Sequence, residues 1–299
     1  MKPNLFIVGA AKCGTTSLHD YLNQHPEVHM SEHKEIKYFG QDIASMEPKG
    51  NQNLTVSEYV SYFSPGKCHK VVGESSPQYL YSLNAAKEIF EFNPKSKIII
   101  MLRNPMDTLI SLHKQLLHVG LENEHDLWLA LKKEEKDILK EGYPGVVLKA
   151  PKKTYYLNRL NYAPQVQRYY DTFGKENVKV VFFDDFISDT IKTYQDICFF
   201  LRVDEKFIPD IPVKNPSKII KYKILHKMYF NRPGLINLVW KLLPVSVSLK
   251  IKEKLINFNT RIGKSDLLTR NELKVLKEHF NSEINSLEFV INKDLEHWK

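Results

Sequence analysis

Four short apolar runs, with helical periodicities between them, restrict what this 299-residue chain can become. Residues 5–8 (Leu-Phe-Ile-Val), 70–72, 97–102 and 178–182 are rich in β-branched and other apolar residues and do not alternate with polar ones. That pattern belongs to strands buried on both faces of a parallel sheet. Tyr162, Val166, Tyr169 and Phe173 fall on one helical face, as do Ile187, Ile191, Tyr194, Cys198 and Leu201. Alternating strand and helix signals predict an α/β fold, a three-layer sandwich around a central parallel sheet, with ligands at the carboxyl ends of the strands.

The first run feeds directly into Gly9-Ala-Ala-Lys12-Cys13-Gly14-Thr15-Thr16-Ser17. Gly9 and Gly14 keep the glycine spacing of a P-loop, but Thr15 stands where a nucleotide triphosphatase needs Lys. The loop's cation, Lys12, lies inside the turn. Such a P-loop-like turn still aims backbone N–H groups and a helix N-terminus at an anion, without the metal-assisted triphosphate geometry. A second strand-to-helix junction, Leu102-Arg103-Asn104-Pro105-Met106-Asp107, carries a guanidinium suited to phosphate, with Ser111 eight positions after Arg103. Asp107 is expected to cap the helix that follows.

These segments resemble those of sulfotransferases that use 3′-phosphoadenosine 5′-phosphosulfate (PAPS). Lys12, Cys13, Gly14, Thr15, Thr16 and Ser17 are similar to the family's 5′-phosphosulfate-binding loop, and Arg103 with Ser111 to its 3′-phosphate element. Lys34-Glu35-Ile36-Lys37-Tyr38-Phe39 resembles a segment of the heparan sulfate and related bacterial branch in which Glu is the catalytic base. The likeness continues through Gly73-Glu74-Ser75-Ser76-Pro77 to Asp294-Leu295-Glu296-His297-Trp298, so it runs over most of the chain.

The resemblance implies transfer of a sulfuryl group from PAPS to a hydroxyl, less readily an amine, of a saccharide, lipid or secondary metabolite. The product nucleotide would be 3′-phosphoadenosine 5′-phosphate (PAP), and no metal is required. Lys12 and Glu35 would be the catalytic pair. Lys34, Lys37, Tyr38, Gln78 and Tyr79 are candidate acceptor contacts, and Asn215, Ser217 and Lys218 occupy roughly the place of the basic loop that closes on the donor. The related cytosolic small-molecule enzymes use a histidine base, for which His33 and His113 are the candidates here. Where the heparan sulfate enzymes can carry a lysine that meets the acidic sugar, this chain has Ser75.

Charge adds a further expectation. The net +8 is concentrated in the C-terminal quarter, and residues 211–252 hold nine Lys/Arg and no acid. Such a stretch attracts the donor's phosphates, an acidic acceptor or an anionic membrane face, with no nucleic-acid partner expected. Competing readings are a P-loop nucleotide kinase, disfavoured by the missing Gly-Lys-Ser/Thr, and a non-enzymatic basic module that binds membranes or polyanions.

Three cysteines without metal-ligand spacing, and no signal-peptide pattern at the N-terminus, point to a cytoplasmic address. Residues 142–160 read as a loop after a charged helix. Beyond residue 219 the pattern reads as helical, and Leu273, Leu276, Phe280, Ile284, Leu287 and Ile291 form a stripe expected to pack on the same core, giving one domain over 1–299. Acceptor identity and oligomeric state are not set by motif residues.

Overall fold

The computed structural model describes residues 2–44, 54–64, 68–141, 155–211, 218–220, 260–262 and 268–299. In chain order the elements are β1 (Leu5–Gly9), α1 (Thr15–Leu22), β2 (Val28–Met30), α2 (Gln41–Ala44), α3 (Val56–Ser61), β3 (Val71–Ser75), α4 (Ala85–Phe92), β4 (Lys97–Leu102) and α5 (Pro105–Val119). They continue with α6 (Leu127–Glu141), α7 (Tyr156–Leu160), α8 (Tyr162–Phe173), β5 (Val178–Phe182), α9 (Phe183–Ser188), α10 (Thr190–Leu201), β6 (Lys218–Ile220), β7 (Thr260–Ile262) and α11 (Arg270–Ile291).

The four apolar runs become β1, β3, β4 and β5, and with the short edge strand β2, which the pattern did not show, they form a five-stranded sheet in the order β2-β3-β1-β4-β5 in which every pairing is parallel. All residues of β1 and β3 are buried, as are those of β4 after Lys97. Side chains of a strand alternate between faces, so continuous burial means that helices cover the sheet on both sides. After β1 the chain builds β2 and β3 on one side, then crosses to build β4 and β5 on the other. The carboxyl ends of β1 and β4 therefore flank a topological switch point, the place where open α/β sheets bind ligands. Both anion motifs start there.

The stripe on α11 packs as its periodicity predicts: Leu276, Phe280, Ile284 and Leu287 are buried in the same core as the sheet residues, and the helix lies on α8 and α5. The helical pattern read beyond residue 219 is corrected at two places. Lys218–Ile220 and Thr260–Ile262 pair as antiparallel strands, in keeping with their β-branched Ile219, Ile220, Thr260 and Ile262. Among the described residues no helix is long and apolar enough to cross a membrane. Asn215, Ser217 and most of the acid-free stretch and of the 142–160 loop lie outside the described residues.

Candidate active site

The first cradle is made by β1, its turn and α1. The Ala10 N–H donates to the Met101 carbonyl at 2.6 Å, lashing the turn to β4. Lys12 (φ 68°) and Gly14 (φ 87°) are both left-handed, which swings the chain into α1. A Cβ at Gly14 would sit 3.0 Å from the Phe183 ring, so position 14 demands glycine for space as well as for conformation. Helix α1 begins without a side-chain cap and without an acid in its first turn. Its first N–H groups, on Thr15, Thr16 and Ser17, are thus left for an external acceptor, and the helix dipole adds positive potential. The Cys13 side chain points the other way. Fully buried, its sulfur lies 3.9 Å from Thr108 Oγ1, and burial pushes the thiol up to about 12, so only the Cys13 backbone is available to a ligand.

The second cradle begins where β4 ends. The Arg103 guanidinium lies over the Phe183 ring at 4.8 Å and donates to Asp107 Oδ2 at 3.2 Å, while its Nε is buried without a hydrogen-bond partner. Asn104, not Asp107, caps α5: its Oδ1 accepts from the Met106 N–H at 2.9 Å, while Asp107 is drawn to Arg103. Ser111 lies two turns into α5, half-buried. The two cradles share Phe183, which touches both Gly14 and Arg103.

Electrostatics mark the space between them as a place for anions. The ammonium of Lys12 is held below the usual lysine range, by burial first, then by the nearby Arg103 charge and by Lys34, with Glu35 and Cys13 acting the other way. Like charges gathered at a half-buried site, together with an orphaned Arg103 Nε and an uncapped helix, fit a ligand with an anionic group at each end.

The third element is the segment after β2. The Glu35 N–H donates to the Ser75 carbonyl at 3.0 Å, tying the segment to the end of β3. The Glu35 carboxylate is 42% exposed and lies 3.3 Å from Lys34 Nζ and 3.7 Å from Lys37 Nζ. Burial lowers the Lys37 pKa, and Glu35 opposes that shift. Tyr38 is half-buried, stacked on Tyr59 at 4.1 Å. Of the two candidate histidines, His33 is exposed with its ring edge-on to Tyr62, whereas His113 is buried in α5 with Nδ1 3.0 Å from the Tyr156 hydroxyl. That places His113 in the core.

Gln78 lines a cavity beside the turn, together with Ala10, Ala11, Tyr81, Thr108 and Arg159. Tyr79 does not face it. The Tyr79 side chain is fully buried and its hydroxyl bonds to Glu74, because Pro77–Leu80 forms a 3₁₀ turn that sends consecutive side chains in different directions. Lys218 opens β6, paired with Ile262.

Two residues were given no role by the sequence reading, Arg159 and Glu74, the latter named there only within a segment. Arg159, on α7, lies over the Tyr81 ring at 5.1 Å and lines the cavity. No motif surrounds it. Glu74 is a fully buried acid in β3, and an acid inside an otherwise apolar strand pattern was the signal that could have found it.

The family described as "Sulfotransferase domain" matches residues 2–233. Among curated proteins, the membrane-associated sulfotransferase kil1 of Dictyostelium discoideum is 30% identical over 36% of this chain and 22% of its own length. Carbohydrate sulfotransferase 15 of Mus musculus is 29% identical over 36% of the chain and 26% of its own length. The bifunctional heparan sulfate N-deacetylase/N-sulfotransferase 1 of Caenorhabditis briggsae is 23% identical over 77% of the chain and 25% of its own length. The matches thus span about a quarter of these relatives. A solved sulfotransferase from Alicyclobacillus acidocaldarius is similar throughout, with a TM-score of 0.72 and 28% identity over 100% of this chain and 99% of that one.

Proposed function

Because the chain belongs to the sulfotransferase family, we propose that it moves a sulfuryl group from PAPS to an acceptor hydroxyl, on a saccharide before a lipid or secondary metabolite. The observation that carries this reading is the pair of anion cradles at adjoining strand ends, with a carboxylate on the neighbouring segment. The α1 N–H groups and the hydroxyls of Thr15, Thr16 and Ser17 hold the 5′-phosphate. Arg103, through its fork and its unpartnered Nε, holds the 3′-phosphate, and Ser111 adds a hydroxyl.

Glu35 takes the proton from the acceptor hydroxyl as that oxygen bonds to sulfur. The bond from sulfur to the bridging oxygen breaks, and the Lys12 ammonium stabilises the charge left on the phosphate of PAP. By analogy with loose phosphoryl transfer, fixed donors placed where charge develops carry most of the catalysis. Lys34, Lys37 and Gln78 face the acceptor in this reading, with Tyr38 beside them, and the names of the saccharide-modifying relatives support a sugar. Asn215, Ser217 and Lys218 are kept as donor contacts, and the acid-free stretch 211–252 as a contact for an anionic acceptor or membrane face. Residues 1–299 are read as one domain, supported by the α11 stripe in the common core. Three free thiols support a cytoplasmic address.

Calorimetry tests the donor site. PAP should bind in the presence of EDTA and ATP should not, and Arg103→Ala should weaken PAP far more than adenosine 5′-phosphosulfate. A folded protein with no affinity for PAP would overturn the reading. A screen of radiolabelled PAPS against pooled oligosaccharides and hydroxylated metabolites then identifies the acceptor.

A further inference from the structure

Beneath the Glu35 segment lies a carboxylate that takes no part in the transfer step. Glu74 is 0% exposed, and three hydroxyls donate to it: Tyr59 at 2.6 Å and Tyr79 at 3.1 Å to Oε1, and Ser76 at 2.8 Å to Oε2. A hydroxyl has one proton. Committing it to Glu74 leaves the oxygen's lone pairs free to accept.

Those lone pairs meet the backbone of the segment above. The Tyr79 oxygen accepts from the N–H groups of Tyr38 at 2.9 Å and Phe39 at 3.3 Å, and Ser76 Oγ accepts from the Lys37 N–H at 3.3 Å. Tyr59, the third donor, stacks on Tyr38 with the rings 9° from parallel. Three consecutive amides are therefore tied through two hydroxyls to one carboxylate. The same segment holds Glu35 at φ 60° and Lys37 at φ 58°, a left-handed conformation that side-chain-bearing residues keep only where the surroundings over-determine it.

We propose that Glu74 is a positioning residue: through the hydroxyls of Tyr79 and Ser76 its carboxylate fixes the backbone of residues 37–39 and so aims Glu35 at the acceptor. This rests on Glu35 being the base. Only an ionised carboxylate orients all three hydroxyls the same way, since a carboxylic acid or an amide brings its own donor and reverses one of them. Burial pushes Glu74 up to about 6, while the hydroxyls of Tyr59, Ser76 and Tyr79, all donating to it, favour the ionised form.

The test uses the full chain with Tyr79→Phe and Glu74→Gln, each made alone and together with Glu35→Gln. Hydrogen exchange of the 35–40 backbone, PAP affinity by calorimetry, and turnover of radiolabelled PAPS with heparosan oligosaccharides are measured, with sulfate released to water counted as turnover. In Tyr79→Phe, exchange at residues 38 and 39 should quicken at least about tenfold, by loss of their acceptor. PAP affinity should stay within about twofold. Turnover should fall about 10- to 100-fold with little change in the oligosaccharide KM, because misaiming a base costs rate rather than binding. The loss should vanish in the Glu35→Gln background.

Parent-rate exchange in folded Tyr79→Phe would overturn the proposal and leave Glu35 as base. So would an equal turnover loss in both backgrounds. Undiminished turnover in Glu35→Gln alone would instead overturn the reading of Glu35 itself. Tyr79→Phe keeps its ring in the core and carries the test if Glu74→Gln fails to fold.

Discussion

Lys12, in the turn after β1, and Glu35, in the segment after β2, are both left-handed residues with charged side chains. Neither conformation is favoured locally, so each is kept by its contacts: the turn by the Ala10–Met101 bond, the segment by Glu35 N–H on Ser75. Removing a donor that acts mainly in the transition state costs about 2.7–4 kcal/mol, so Lys12→Ala should lower kcat by about 10²–10³ in a radiolabelled-donor assay. Glu35→Gln should leave PAP affinity within about threefold and collapse turnover, the pattern of a group that works on the acceptor's proton. These residues were legible because each lies inside a contiguous motif. The directions of Cys13 and Tyr79 were not: both sit within such motifs, yet packing turns their side chains into the core.

At the scale of elements, the helix ends decide what is available to a ligand. Helix α1 is left uncapped and faces the site, whereas α5 is closed by Asn104. Helix α7 is capped across space by Glu134 of α6, whose oxygens accept from the N–H groups of Tyr156 at 2.8 Å and Leu157 at 3.3 Å. Burial pushes Glu134 up to about 7 despite those bonds. A carboxyl raised on folding is disfavoured in its charged form. Its contribution is therefore most favourable below the unfolded value and declines as pH rises from about 4.5 to about 7, by on the order of 3 kcal/mol. Relative to Glu134→Gln, the parent should lose Tm progressively over that interval. Parallel melting curves for the two across pH 4.5 to 7 would contradict the assignment. Strands β1, β3, β4 and β5 and helix α11 could be read from periodicity, but such a cap could not, since Glu134 and Tyr156 lie 22 positions apart in a charged stretch with no local signature.

Over the whole molecule, Trp298 packs back onto the junctions that follow β4 and β5. Trp298 packs edge-on to Phe182 at 5.5 Å, donates through Nε1 to Asp184 at 2.7 Å, and accepts at its carbonyl from Asn104 at 3.0 Å. It thereby joins the end of β5 to the junction that carries Arg103. Trp298→Ala should cost about 3 kcal/mol, seen as a lower urea midpoint, and should weaken PAP binding through Arg103. Unchanged stability would show that the tail is not part of the core. The sequence by itself determined four of the five strands of the parallel sheet, the two strand-to-helix junctions and the Glu35 segment, because hydrophobic period and short contiguous motifs are local properties of a chain. Only the tertiary structure decided that Phe183 serves both cradles, that Arg159 lines the cavity, and that Glu74 lies under residues 37–39. Those depend on which strands become neighbours, and neighbours in a parallel sheet are brought together by crossovers that leave no mark in the residues they join.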